Sequence, residues 1–518
     1  MLAGGSACGC SMSMLGCGSD FVIPCLGPAP PPTPVPGMTY IRASEIGCAL
    51  DCDLQSGHNK FTGGTATDDA PRINAAMSGA TEDHPITLII DGSVLISGLF
   101  LPANGHWGIA GLGCGTGFFI RKGTNNDGIH NGLPTAAIPS DPGPPAPPRG
   151  SNVSLSNFTL NGNRGDGSSG NSTSGIRQGI DNKVWYFGIN LMNLDHISVE
   201  KVVVVNPPAY HIRFSNVGNV AVSGCVMNSF GSGWNTDGLH FDGPANDITI
   251  ADCDFTMGDD AIALNCPEGY SGSISRVAVT NCTFNSFSLM RLYTMLYGPN
   301  YRIDTVSVSN CQGTLSEAGF SIGYVTNSSA PDSVASLTVR DCTLKAPAVL
   351  EVGQNFGDFV LDNVSFIPTK SDLGNGLLRP SQYYKGATSG ASLTVNNCSI
   401  NRQENMSVAA VILDNDSTIS NLTFNGLKVD DSYSALPELI LIKNGSIGQL
   451  TLDSVDSTKI KAPVSGEQFS AVNSVTGAGV LATQWKFPDG IVANGIPYLS
   501  MPSGLSSIKI GGVVEPYP

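Results

Sequence analysis

The segments NVAVSGCVMNS (219–229), DITIADCDFTM (247–257) and RVAVTNCTFNS (276–286) repeat one pattern in the centre of the chain. Each alternates apolar with polar residues, the period of a strand with one buried face, and is followed by a turn rich in Asn, Asp and Gly. The cysteines in these segments recur at steps of 28 and 29 residues. An all-β unit at such a fixed period predicts a solenoid, whose coils stack about 4.8 Å apart.

The same pattern continues on both sides of these segments. Further copies are NVSLSNFTLNG (152–162), HISVEKVVVVN (196–206), TVSVSNCQGTL (305–315), SLTVRDCTLKA (336–346), FVLDNVSFIPT (359–369) and SLTVNNCSINR (392–402). Cysteine packs as a small hydrophobe, so we predict a buried, reduced column formed by Cys225, Cys253, Cys282, Cys311, Cys342 and Cys398. Disulfides between coils remain the alternative, because adjacent coils lie within bonding distance. An Asn or Asp precedes most of these cysteines, which predicts a ladder of turn side chains at Asp252, Asn281, Asn310, Asp341 and Asn397.

The ends of the chain differ from this repeat. Residues 1–37 contain no Lys or Arg and are rich in Gly, Cys and Pro, so we predict a tail and linker that lack the basic region of a signal peptide. TDDAPRINAAMSG (67–79) predicts an amphipathic helix that caps the solenoid, and HPITLIIDGSVLISG (84–98) predicts its first strands. The repeating strand pattern is no longer recognisable after about residue 480. We therefore expect a β-helix domain over 38–480 and a C-terminal cap or tail over 481–518.

A group of cysteines lies near the N-terminus. An even set of six in this region is compatible with disulfides formed in an oxidising compartment: Cys8, Cys10, Cys17, Cys25, Cys48 and Cys52.

Two successive coils carry the motifs NTDGLHFDG (235–243) and GDDAIALN (258–265). Asp237 and Asp260 lie about one coil apart, and Asp259 adjoins Asp260, so we expect three carboxylates to converge. Like charges in contact raise at least one pKa, which creates a proton donor beside ionised neighbours. Cleavage of a glycosidic bond needs one carboxylic acid that donates a proton and one carboxylate that activates water or attacks. The alternative is that these aspartates only cap turns of the solenoid.

Together with PAYHIRFSNVGNV (208–220), these motifs resemble glycoside hydrolase family 28, the polygalacturonases and rhamnogalacturonan hydrolases. The resemblance implies a right-handed parallel β-helix and an inverting mechanism that uses no metal or other cofactor. It also implies that Asp259 is the general acid and that Asp237 and Asp260 hold and activate the water. Asn235 would orient this group.

The sequence departs from that family in two places. The Gly-His-Gly motif is missing from NSFSLMRLYTM (285–295), and AGFSIGYV (318–325) contains neither Arg nor Lys where the family carries Arg-Ile-Lys. These absences put a galacturonan substrate in doubt, while the three aspartates remain.

Strand parity predicts what lines the groove instead. We take the apolar residues of successive coils to point inward, namely Leu239, Ile262, Met290, Ile322 and Leu350. Their chain neighbours then point outward, namely His240, Ala263, Arg291, Ser321 and Glu351. Tyr293 points to the same side as Arg291, two residues before it. We predict substrate contacts from His240, Arg291, Tyr293 and Glu351. The alternative for Arg291 and Glu351 is solvent exposure or an ion pair across coils, and His211 is expected to be a packed structural residue.

Composition restricts the partners. The formal net charge is -16, which disfavours nucleic acid and anionic membranes, and no apolar run reaches the roughly 18 residues of a membrane span. Phosphate-loop and serine-hydrolase motifs are missing, and the histidines have no metal-ligand spacing, so we expect neither a metal nor a cofactor. The negative net charge of the protein favours a neutral sugar chain as substrate, or a local basic subsite for an acidic one. The alternative is that the charge only keeps the protein soluble. The oligomeric state stays open.

The sequence therefore predicts a secreted glycoside hydrolase acting on a polysaccharide or oligosaccharide. One alternative is a polysaccharide lyase or epimerase on the same fold, with Arg291 beside the aspartates as the basic group. Another is a non-catalytic β-helix that binds glycans, as in a tailspike.

Overall fold

The structure is a computed structural model. It describes residues 22–25, 27–124, 126–132, 144–164, 186–230, 235–294, 301–323, 333–371, 374–382, 386–406, 408–430, 432–455, 459–466, 472–477, 491–493, 496–498, 507–510 and 513–516. Most of the predicted N-terminal tail, including Cys8, Cys10 and Cys17, lies outside the described residues, as does much of 481–518.

The described residues form one helix, α1 (Ala70–Met77), and a long series of strands. The N-terminal strands are β1 (Thr39–Arg42), β2 (Ile86–Ile90), β3 (Ser93–Ile96), β4 (Leu99–Leu101), β5 (Gly105–Gly111), β6 (Gly117–Ile120), β7 (Ile129–Asn131), β8 (Gly150–Ser156), β9 (Thr159–Asn161), β10 (Ile189–Glu200) and β11 (Val203–Val205). The central strands are β12 (Ile212–Ser223), β13 (Val226–Asn228), β14 (Leu239–Ala251), β15 (Asp254–Thr256), β16 (Ile262–Thr280), β17 (Thr283–Thr294), β18 (Ile303–Ser309), β19 (Gln312–Ile322), β20 (Val334–Arg340), β21 (Thr343–Ala346), β22 (Ala348–Val352), β23 (Phe356–Asp362) and β24 (Ser365–Pro368). The C-terminal strands are β25 (Gly376–Pro380), β26 (Ser389–Asn396), β27 (Ser399–Ile400), β28 (Val411–Leu413), β29 (Ser417–Asn425), β30 (Lys428–Val429), β31 (Leu436–Ile442), β32 (Gly445–Asp453), β33 (Ile460–Gly466), β34 (Val472–Gly477), β35 (Ile491–Ala493), β36 (Ile496–Tyr498), β37 (Ser507–Ile510) and β38 (Val513–Pro516).

From β1 to β34 the strands pair in parallel with their counterparts in the next coil, as a right-handed parallel β-helix requires, whereas β35–β36 and β37–β38 are antiparallel pairs. For example, Leu239 in β14 pairs with Ile212 in the preceding coil and with Ile262 in the following coil. These inward residues are fully buried, and the apolar interior forms one core along the chain. The predicted fold is confirmed. No helix among the described residues is long and apolar enough to cross a membrane.

The N-terminal end of the solenoid contains one strand more than the sequence predicts. Helix α1 is confirmed, and its Ile73 and Met77 are buried against the core. The predicted first strands correspond to β2 and β3, but β1 precedes them and pairs with β2 from Thr39↔Ile86 onward. The prediction that the strands begin after residue 84 was therefore wrong, because β1 lies outside the repeating pattern.

The cysteine column is confirmed as buried and reduced. All six repeat cysteines are free thiols with at most 3% exposure. The backbone N–H groups of Cys225 and Cys253 donate to the sulfur one coil further on, at 3.4 Å each. The column therefore adds polar contacts to apolar packing.

The N-terminal cysteines behave differently. Cys25 forms a disulfide with Cys114, a residue outside the predicted set, whereas Cys48 and Cys52 are buried free thiols. Of the six cysteines that the sequence made candidates for disulfides, Cys25 is therefore bonded, and Cys48 and Cys52 are not.

The residues before the repeat cysteines explain the Asn and Asp preference of the turns. Asp252, Asn281, Asn310, Asp341 and Asn397 all have φ between 50° and 56°. This left-handed region is costly for most side chains, and Asn and Asp tolerate it best after Gly. The amide of Asn281 donates to the carboxylate of Asp252 at 3.2 Å, so neighbouring coils are linked at this turn.

Candidate active site

One sheet of the solenoid presents a continuous outward ladder of mostly polar side chains. Strand pairing aligns His130, Asn190, Arg213, His240, Ala263, Arg291, Ser321, Glu351 and Arg379 in successive coils. The predicted alignment from His240 to Glu351 is confirmed. Ile322 points inward as predicted, but it aligns with Leu292 and Val352, and the residue aligned with Met290 and Leu350 is Phe320.

The three aspartates lie at one edge of this sheet, in the turns that precede β14 and β16. The backbone carbonyls of Asp237 and Asp260 accept from the N–H groups of His211 at 2.8 Å and Gly238 at 3.0 Å, which fixes both turns to the preceding coils. One carboxylate oxygen from each aspartate lies within 4.8 Å of the others, and all three residues are at most 6% exposed. The predicted convergence is thus observed.

Asp259 favours its protonated form, and burial also raises the pKa of Asp237. The Oδ2 of Asp259 accepts from the backbone N–H of Asn235 at 2.5 Å, and its buried Oδ1 has no hydrogen-bond partner among the described residues. Burial and then the charges of Asp260 and Asp237 raise its pKa to about 8. A carboxylic acid is therefore held ready to donate at neutral pH.

Asn235 acts here through its backbone. It has φ of 64°, a conformation in which Asn is favoured, and this turns its N–H toward Asp259.

Asp260 is paired with a cation from the next coil. The guanidinium Nη1 of Arg291 lies 3.0 Å from its Oδ2, and the hydroxyl of Ser288 donates to its Oδ1 at 2.5 Å. The charges of Asp260, Asp237 and Asp259 outweigh burial and raise the pKa of Arg291. Arg291 keeps 21% of its side chain exposed, so it reaches the surface beside the aspartates.

His240 lies below the surface, between two carboxylates. Its Nδ1 is 2.7 Å from Asp237 Oδ2, its Nε2 is 3.1 Å from Asp242 Oδ1, and the residue is completely buried. The ring of Tyr210 stacks on the imidazole at 3.9 Å between centroids. His240 therefore faces Asp237 rather than the groove surface.

The buried contacts continue through several coils away from the aspartates. Arg213 Nε donates to Asp242 at 2.7 Å and its Nη1 to Asn190 at 3.3 Å. Asn190 in turn donates to Asp127 at 2.8 Å, and His130 lies 3.1 Å from that carboxylate. Sequence reasoning missed this network, although Arg213, Asn190 and His130 occupy outward ladder positions of successive coils.

The remaining predicted contacts separate into two kinds. Tyr293 is 9% exposed and lies beneath the guanidinium of Arg291, 5.7 Å from Arg Cζ to the ring centroid. Glu351 is completely buried and pairs with Arg379, with its Oε2 3.0 Å from Nε. For Glu351 the structure therefore shows the alternative given above, an ion pair between residues of neighbouring coils. His211 is packed as expected, with its Nδ1 donating to the Asp237 carbonyl at 2.9 Å.

Glu317 is an acidic residue that the sequence did not single out. It lies in β19 where the pairing with β17 shifts register between Ser286 and Ser288, and such an irregularity redirects a side chain. Burial and the charge of Glu351 raise its pKa to about 8, and Gln382 donates to it at 2.6 Å. Arg291 therefore interacts electrostatically with the carboxyl of Glu317 as well as with those of the three aspartates.

The spacing of the three aspartate oxygens would also admit a divalent cation. Arg291 places a positive charge against Asp260, and the backbone N–H of Asn235 and the hydroxyl of Ser288 donate to Asp259 and Asp260. We assign no metal ligands here.

Comparison with known proteins agrees with the fold and the motifs. The sequence profile of the family described as "Glycosyl hydrolases family 28" matches residues 145–287, which include Asn235 and all three aspartates. The resemblance to this family that the motifs indicate is confirmed over these residues. No curated protein sequence matches the chain significantly.

Solved structures show similar folds at low identity. The N-terminal fragment of bacteriophage Phi29 gene product 12 is 12% identical, with 92% of this chain and 96% of that chain covered and a TM-score of 0.50. The family 28 exopolygalacturonase of Yersinia enterocolitica is 14% identical, with coverages of 79% and 78% and a TM-score of 0.49. The endo-xylogalacturonan hydrolase of Aspergillus tubingensis is 14% identical, with coverages of 77% and 96% and a TM-score of 0.41. At these identities the likeness concerns the fold alone.

Proposed function

We propose that the chain is a glycoside hydrolase that cleaves a polysaccharide or oligosaccharide with Asp237, Asp259 and Asp260. The observation that carries this proposal is the contrast between neighbouring carboxyls. Asp259 favours its protonated form, while Asp260 is paired with Arg291. An acid beside a carboxylate is the arrangement that hydrolysis of a glycosidic bond requires.

The proposed reaction assigns one role to each aspartate. Asp259 donates its proton to the glycosidic oxygen as the bond from that oxygen to the anomeric carbon breaks. A water molecule between Asp237 and Asp260 attacks the anomeric carbon and gives a proton to Asp237. Oxygens within 4.8 Å of each other can share one water, because each O–H···O contact spans about 2.7–2.8 Å. Return of that proton through solvent to Asp259 restores the enzyme.

Inversion of the anomeric centre is proposed from the family resemblance. Inverting enzymes commonly hold their two carboxyls roughly 6.5–9.5 Å apart and retaining enzymes about 5–5.5 Å. The oxygens here approach within 4.8 Å, so the spacing does not itself favour inversion. Proton NMR of the first product distinguishes the two, because inversion gives the anomer opposite to the substrate before mutarotation.

A surface contact to the sugar is proposed for Arg291 beside Asp260, with Tyr293 supporting its guanidinium from below and adding the edge of its ring. Asn235 contributes by orienting Asp259, and His240 by holding Asp237. Glu351 would act indirectly, by fixing Arg379 below the groove.

We also propose that residues 38–480 form the catalytic domain and that the protein works outside the cell. The disulfide between Cys25 and Cys114 supports this location, since stable disulfides belong mainly to oxidising compartments.

Product analysis tests the reaction class. Hydrolysis releases a saturated reducing end, whereas a lyase leaves an unsaturated product that absorbs ultraviolet light. Reducing ends without that absorbance are expected. Glycan binding without any release would instead indicate a non-catalytic β-helix.

A further inference from the structure

A concave site lies on the same edge of the sheet that carries the aspartates, several coils further along the chain. It is a cavity of about 390 Å³, within the range of roughly 300–1,000 Å³ that is usual for small-molecule sites. Its walls combine polar and apolar side chains, among them Ser371, Asn375, Met406, Ile412, Glu438 and Leu441.

Strand register places this cavity in line with the aspartates. Gly376 pairs with Ala348, and β22, β19, β17 and β16 lead back coil by coil to Asp260. Asn375, the residue before Gly376, therefore holds the position that Asp259 holds four coils earlier. At about 4.8 Å per coil the two positions are about 19 Å apart along the groove.

Asn375 has a buried acceptor that lacks a partner. The residue is 5% exposed, and its Oδ1 makes no hydrogen bond within the described residues. Its amide nitrogen makes only a 3.7 Å contact to the sulfur of Met406. Native proteins rarely leave a buried carbonyl oxygen unpaired, and a rotation of this sealed side chain toward the cavity would let the oxygen accept from a hydroxyl or N–H donor of a ligand.

The other walls define the chemistry of that ligand. Met406, Ile412 and Leu441 offer apolar surface of the kind that packs against the C–H face of a pyranose. Lys370 at the rim pairs with Glu404 at 3.1 Å, and Glu438 adds an opposite charge, so no single sign dominates. These features fit an uncharged, hydroxyl-rich ligand.

We propose that this cavity is a distal subsite that binds an uncharged sugar residue of the same glycan chain that the aspartates cleave. The inference rests on the proposed function for its choice of ligand. A chain lying along the sheet edge would pass Arg291 and Glu317 before it reaches Asn375. The subsite would therefore improve the use of long substrates and leave short ones unaffected.

The test compares substrates of different length. Leu441→Trp fills the cavity from a half-buried position, and Asn375→Ser shortens the unpaired amide. Thr249→Trp is the matched control, because Thr249 lines a comparable surface cavity on another sheet. The probes are size-fractionated oligosaccharides of whichever polysaccharide the wild-type protein cleaves.

The expected result is that both cavity variants lose about tenfold in kcat/KM on long chains and keep wild-type values on the shortest cleavable oligosaccharide. Thr249→Trp should retain both values. Unchanged rates on long chains, or equal losses at every length, would overturn the subsite.

A second measurement separates this inference from the proposed function. If the wild-type protein cleaves no glycan, the proposed hydrolase activity fails, and binding to an array of plant and microbial oligosaccharides still tests the cavity. Weaker binding by Leu441→Trp than by Thr249→Trp would support the subsite. Identical binding profiles would overturn it.

Discussion

Two substitutions of His240 separate its contact with Asp237 from its contact with Asp242. The amide nitrogen of Asn falls near the position of imidazole Nδ1, so His240→Asn keeps a donor for Asp237. The longer Gln places its nitrogen near Nε2, so His240→Gln keeps a donor for Asp242 and loses the one for Asp237. If His240 positions the proposed base, His240→Gln should be the more damaging change.

The magnitude follows from the contact that is lost. Nδ1 lies 2.7 Å from the Asp237 carboxylate in a completely buried place. A hydrogen bond to a charged group contributes about 1.5–3 kcal/mol. At about 1.4 kcal/mol per factor of ten, His240→Gln should lower kcat by about 10- to 100-fold, with KM nearly unchanged. His240→Asn should recover most of that loss.

The assay is steady-state hydrolysis of the polysaccharide that the wild-type protein cleaves, with circular dichroism to show that both variants are folded. A pH profile adds a second readout, since loss of the Asp237 contact should alter the acidic limb. The positioning role would be refuted if both variants raised KM equally at constant kcat, because that result indicates a direct substrate contact.

Three further outcomes are expected. Because the pKa of Asp259 is raised to about 8, kcat/KM should fall as pH rises through that value. The stability that the protonated form contributes should be lost between about pH 4 and 8, and thermal melts of Asp259→Asn, which cannot titrate at this position, should lack this part of the decline. An unchanged decline in the variant would contradict the assignment. Arg291→Gln removes a charge-assisted bond of about 1.5–3 kcal/mol and should lower kcat by about tenfold or more, with partial recovery in Arg291→Lys; wild-type activity in Arg291→Gln would exclude the role. Peptide mapping with a thiol reagent should find the repeat cysteines unreactive in the native protein and reactive after denaturation, whereas native labelling of Cys253 would contradict the buried column.

The sequence was sufficient for features that depend on periodicity. Strand residues alternate between faces, so the parity that placed His240 and Arg291 on one outward ladder held across coils of different length. The Asp237 and Asp259–Asp260 motifs converged because they occupy equivalent turns of adjacent coils.

The sequence did not identify which side chains pair across coils, although an ion pair across coils was one alternative for Glu351. Parity placed Glu351 outward, but its pairing with Arg379 in the next coil removes it from the surface. Parity also fails where register shifts, as it does near Glu317. The Cys25–Cys114 disulfide joins residues 89 positions apart, a pairing that cysteine spacing cannot specify.

The most direct test of the central claim is the release of reducing ends from a panel of acidic and neutral polysaccharides by the wild-type protein and by Asp259→Asn. This substitution keeps the size and the Oδ acceptor of the side chain but removes the proton that would be donated. The account predicts release from at least one glycan and a loss of about 10²–10⁴-fold in the variant. Equal release by both proteins would show that Asp259 is not the acid, and no release from any glycan by the wild-type protein would contradict the hydrolase assignment itself.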